Sequence, residues 1–147
     1  MKTNYLSLFI VSILLTAGCG NLGSFRIINF SANKRQLTLA IDSIYKNYPS
    51  YIIPDKWKKF DTWSERGYDF LDSRIFYFKE IPEEMYYVTF RGDKSTPPKQ
   101  PISIAIRAVS NGKGRWLKQE DFSNMEIERI ESRFEVEILS KIGYPYH

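Results

Sequence analysis

A chain of 147 residues with 43% hydrophobic and 26% charged side chains has room for one domain, not two, and is too apolar to be disordered. Its formal net charge of +4 is too small to mark a nucleic-acid surface, which needs a clustered basic stripe. One cysteine excludes an internal disulfide, and with one histidine beside it there is no ligand set for zinc. The unusual feature is aromatic content, 16% of all residues, which implies a core built on large flat side chains.

Met1-Lys2-Thr3-Asn4 is a short, positively charged start, and residues 6–15, LSLFIVSILL, form an unbroken apolar or small run. A transmembrane helix needs about 20 apolar residues, and this run is about half as long. It suits the hydrophobic region of a cleavable export signal. Small residues follow at Thr16, Ala17 and Gly18, and then comes Cys19.

The segment Leu15-Thr16-Ala17-Gly18-Cys19 resembles the lipobox of bacterial lipoproteins, with Thr16 standing where Leu, Val or Ile is usual. The resemblance covers residues 1–19 and implies cleavage after Gly18, diacylglycerol on the Cys19 sulfur and often an acyl (palmitate-type) chain on the new amine. It also implies a location on the extracytoplasmic side of a membrane. Gly20 stands where an Asp would signal inner-membrane retention, so the outer membrane is the expectation in a host with two. One acyl chain binds only reversibly, at about 0.8 kcal/mol per buried methylene, whereas two or three chains on one cysteine anchor stably. The alternative is an ordinary secreted protein with a chance cysteine. The expected organisation is a signal over 1–18, a lipidated cysteine with a short tether over 19–29, and a single domain over 30–147.

Residues 25–30 are apolar enough to dock as a strand or extended edge. Residues 31–48 read as a helix, since Leu37, Ala40, Ile41, Ile44, Tyr45 and Tyr48 recur at helical spacing. Ser31 or Asn33 can cap it and Pro49 ends it. Pro54 can open a short helical turn carrying Trp57 and Phe60. Residues 74–80 and 85–91 alternate and are rich in aromatic and β-branched types, giving a hairpin joined through Ile81-Pro82-Glu83-Glu84. The Pro-rich stretch 93–101 is a loop. A third strand follows, with Ile102, Ile104, Ile106 and Ala108 on one face and Ser103 and Arg107 on the other. After a turn at Asn111-Gly112, residues 115–118 make a short fourth strand.

The last element is the most completely specified. Ser123 and Glu126 spell a capping box, with Phe122 and Ile127 placed as a hydrophobic staple. Ile127, Ile130, Phe134, Ile138 and Ile142 form one apolar stripe, Glu137 and Lys141 are ordered as a favourable pair, and Gly143 with Pro145 stops the helix. The expected fold is therefore α+β: a three- to four-stranded antiparallel sheet with an N-terminal and a C-terminal helix packed on one face.

Chemistry is sparsely signalled. His147 ends the chain, a poor position for the base of a catalytic triad. No Gly-rich phosphate motif occurs, so neither cofactor nor metal is expected. Asp55, Asp61, Glu65, Asp69 and Asp72 crowd one segment, with Trp57, Trp63 and Tyr68 as candidate stacking surfaces for a ligand. Two of these acids could act on a glycan if held about 5–10 Å apart. Against that, a solvated loop whose tryptophans plug the core explains the same residues. The sequence favours a non-catalytic binding domain, held to the bilayer through Cys19 and facing an envelope protein or a glycan. A small envelope hydrolase is the alternative.

Overall fold

The computed structural model describes residues 25–69, 71–91 and 100–147; the expected export signal, Cys19 and most of the expected Pro-rich loop lie outside the described residues. The chain enters as strand β1 (Ile27–Asn33), whose last residue caps helix α1 (Lys34–Asn47). The Asn33 side chain accepts the Gln36 N–H at 2.9 Å, and the Gln36 side chain accepts the Asn33 N–H at 3.0 Å. Of the two expected caps, Asn33 serves, because Ser31 is still strand: its N–H donates to the Pro145 carbonyl. The helix buries Leu37, Ile41 and Ile44, and Pro49 opens a single 3₁₀ turn beyond it.

A short turn, α2 (Asp55–Lys58), carries Trp57 inward. Strands β2 (Ser73–Phe78), β3 (Glu84–Phe90) and β4 (Pro101–Ser110) then form an antiparallel meander, and β1 returns to pair with β4. The sheet order is β1-β4-β3-β2. The fourth strand is thus the N-terminal one; residues 115–118 contribute a single bridge, Leu117 to Val109.

Helix α3 (Asn124–Phe134) continues through a wide π turn, Glu135–Leu139, into a last turn, Ser140–Ile142, and Gly143 ends it at φ +75°. The wide turn sends Leu139 as well as Ile138 into the core. It also changes the expected pairing at this end. The Glu137 carboxylate takes Arg133 at 3.1 Å, while Lys141 donates to the Glu137 backbone carbonyl.

At the start of α3 the expected capping box is formed, Ser123 accepting the Glu126 N–H and Glu126 accepting the Ser123 N–H. Replacing Ser123 by Ala should cost about 1 kcal/mol in urea unfolding. Backbone and hydroxyl hydrogen bonds from Ser123 hold the Glu126 carboxyl below its ordinary value of 4.5. Its contribution is therefore complete above that value and is lost as pH falls through the lowered one. The stability gap between wild type and Glu126→Gln should close in acid.

Both helices cover the same sheet face. Leu37, Ile41 and Ile44 of α1 and Ile130, Phe134 and Ile138 of α3 meet Ile28, Phe76, Tyr86, Val88 and Ile104 in one core. The other face is not left to water. Tyr77, Met85, Tyr87 and Ala108 are buried there beneath Trp57 and Trp63, with Trp116 beside them. Ala108 was expected on the helix-covered face. A bulge turns it over: Val88 pairs with Ile106 but Tyr87 with Ala108, leaving Arg107 as the extra residue. The surplus of aromatic residues therefore builds a third layer, formed from loop rather than helix.

Candidate functional site

The loop layer stops short of the β2 edge, and a cavity of about 820 Å³ opens there. Tyr45 of α1, Ile52 and Ile53 form one side, residues 71–75 the sheet side, and the loop from Asp61 to Asp69 the rest. Volume and mixed lining are those of a small-ligand site.

Trp63 and Tyr87 form the cavity's firmest wall. Their rings stack at 3.9 Å with 10° between planes. Tyr68 packs edge-on to Trp63 at 5.3 Å, and the Arg66 guanidinium lies 5.2 Å from the Trp63 ring. Trp63 is only 6% exposed, and its indole N–H is sealed from solvent with no hydrogen-bond partner among the described residues. Burial pushes the Tyr87 phenol up, opposed by the nearby Ser73.

The candidate carboxylates divide. Asp61, Asp69 and Asp72 line the cavity; Asp55 and Glu65 do not. Asp55 is exposed and paired with Lys58 at 2.7 Å. Asp72 is engaged by Lys34 at 3.2 Å and Arg74 at 3.1 Å, and Arg74 also reaches Asp42 at 3.6 Å. Asp61 and Asp69 form no ion pair among the described residues. Burial raises the Asp61 pKa, with the Trp63 backbone N–H opposing and Glu65 adding to the rise.

Of the three candidate stacking residues, Trp63 and Tyr68 line the cavity and Trp57 does not. Trp57 is buried against Tyr77 and Phe60, with Gly112 laid over its ring. A Cβ on Gly112 would stand 3.1 Å from the Trp57 ring, at a φ of +76° that side chains rarely adopt, whereas one on Gly114, at φ +98°, meets nothing. Gly114→Ala should cost about 1 kcal/mol from backbone strain alone. Gly112→Ala should cost clearly more in the same unfolding experiment, since the indole must also move.

His147 lies far from this chemistry. Its backbone pairs with Asn29 on β1, so the chain end is pinned rather than frayed, but β1 and β2 are opposite edges of the sheet. Among the described residues no group of three His, Cys, Asp or Glu is placed to hold a metal ion.

Sequence reasoning passed over Glu84, a carboxylate buried at the start of β3. Arg129 binds it through two hydrogen bonds, at 2.9 and 2.6 Å; Arg133 stands at 3.3 Å and the Tyr86 hydroxyl at 3.1 Å. The two arginines lie four residues apart on one helix face, the one signal that could have pointed to it. The cluster is closed on itself and ties α3 to the sheet.

Fold and site together define an α+β domain with an aromatic-walled cavity at one sheet edge. No protein-family model, no curated protein and no solved structure matches the chain.

Proposed function

We propose that this is a lipid-anchored envelope protein, acylated on Cys19, whose domain binds a ligand without transforming it. The anchor rests on the signal-like residues 1–18 and the cysteine that follows them. This reading places the membrane attachment at Cys19; no described helix is long and apolar enough to cross a membrane. The binding role rests on one observation: a cavity of about 820 Å³ at the β2 edge is walled by Trp63, Tyr68 and Tyr87 and carries the carboxylates Asp61 and Asp69. A concave site of that size, mostly apolar and aromatic with a few polar groups, is the ordinary form of a small-ligand site.

A second reading, hydrolysis by paired carboxylates, draws support from Asp61, Asp69 and Asp72 lining one cavity with an aromatic wall. Of these three, Asp72 is already committed to two cations, which leaves Asp61 and Asp69 for that work.

Cys19→Ser should move the protein from the membrane fraction to the soluble one. Intact mass of the native protein should begin at Cys19 and carry acyl mass. A mature chain beginning elsewhere, or bearing no acyl mass, removes the anchor from this proposal.

A further inference from the structure

Two edges bound the sheet, and the chain treats them differently. The outer edge of β1 is covered by the chain's own end, through Asn29 with His147 and Ser31 with Pro145. On β2 the alternation runs the other way. The Phe90 N–H donates to the Asp72 carbonyl, which places Ser73 and Ile75 at positions whose backbone groups point away from β3. Their carbonyls each have one donor, Arg74 Nη1 at 2.9 Å on Ser73 and the Tyr45 hydroxyl at 2.7 Å on Ile75. Their N–H groups make no hydrogen bond among the described residues. Two such donors in an extended strand lie about 6.8 Å apart, the repeat of alternate carbonyls in another extended chain.

The cavity lies along this same stretch, lined by Ser73, Arg74 and Ile75 and faced by Ile52 and Ile53. Its charges are unbalanced in one direction. Lys58 and Arg74 are both matched by aspartates, while Asp61 and Asp69 are not matched by any cation among the described residues. We infer that the cavity seats an extended peptide segment bearing basic side chains, which pairs with β2 as a fifth strand. Its carbonyls accept from Ser73 and Ile75, its apolar side chains meet the isoleucines, and its cations meet Asp61 and Asp69. An exposed edge that is short and roofed by a groove is suited to such addition, where a long bare one would aggregate.

This inference rests on the cavity being a binding site, and the test separates the two. The probes are blocked hexapeptides alternating Val with Lys, Val with Ser or Val with Glu, and, as a non-peptide, chitotetraose. Each is added to the full chain in detergent micelles, and amide exchange is followed at Ser73 and Ile75 together with fluorescence from the cavity tryptophan. The Lys peptide, at roughly ten times its Kd, should slow both amides about tenfold. The Glu peptide should bind about tenfold or more weakly, and Asp61→Asn with Asp69→Asn should erase the difference. Equal binding of the Lys and Glu peptides, or a bound Lys peptide that leaves both amides exchanging freely, overturns the inference. If chitotetraose alone perturbs Trp63, the peptide is the wrong ligand and the binding reading stands. If no probe registers at the cavity, both readings fall.

Discussion

Glu84→Ala should be among the most damaging single changes in the chain, lowering stability by about 3 kcal/mol. The Glu84 side chain is 4% exposed and receives Arg129, Arg133 and the Tyr86 hydroxyl. Removing one partner of a buried pair leaves the others' charges and donors without an acceptor, and that penalty exceeds what the pair contributes when intact. The figure sits at the low end of the usual range for two reasons. Arg129 is 36% exposed and can recover water, while Arg133 keeps Glu137 and the carbonyls of Pro82 and Glu80. Glu84→Gln should fall between wild type and Glu84→Ala, since the amide retains one acceptor. Urea titration reads the effect as a lowered midpoint with an unchanged slope. A double-mutant cycle of Glu84→Gln with Arg129→Met should show coupling of about 1–3 kcal/mol. Coupling near zero would mean the bidentate contact adds nothing beyond its parts.

Local signals carried much of the architecture, and their limits follow from range. The Ser123 and Glu126 cap, the stripe from Ile127 to Ile142 and the hairpin on either side of Pro82 each depend on residues a few positions apart, and each is present. What was not legible depends on distant partners. β1 becomes an edge strand by pairing Ile28 with Ile104, which no spacing within residues 25–30 announces. One extra residue, Arg107, reverses the face of Ala108, and a wide turn redirects the side chains around Glu137. The same limit governs the site. Asp61, Asp69 and Asp72 looked alike in sequence, and only the fold brings Lys34 and Arg74 to one of them and leaves the other two without a cation. Trp57 and Trp63 looked equivalent as stacking surfaces, yet one is sealed under Gly112 and the other walls the cavity.

Trp63 permits a sharper test, because its stacking and its hydrogen-bonding capacity can be changed separately. Trp63→Ala should cost about 3–5 kcal/mol, as expected for emptying a buried aromatic site. The loss includes the Tyr87 stack and the contacts with Tyr68 and Trp116. Trp63→Phe keeps a ring on Tyr87 and deletes the unpartnered N–H, whose burial costs about 1–3 kcal/mol. That gain offsets the smaller ring, so the variant should lie close to wild-type stability. Trp116 supplies the control: its indole N–H donates to the Phe60 carbonyl at 2.7 Å. Trp116→Phe loses that bond along with ring area and should cost about 1–2 kcal/mol. The predicted order in urea is therefore Trp63→Phe, then Trp116→Phe, then Trp63→Ala, from least to most damaging. Should Trp63→Phe prove as costly as Trp116→Phe, the Trp63 indole N–H has a partner in the free protein after all.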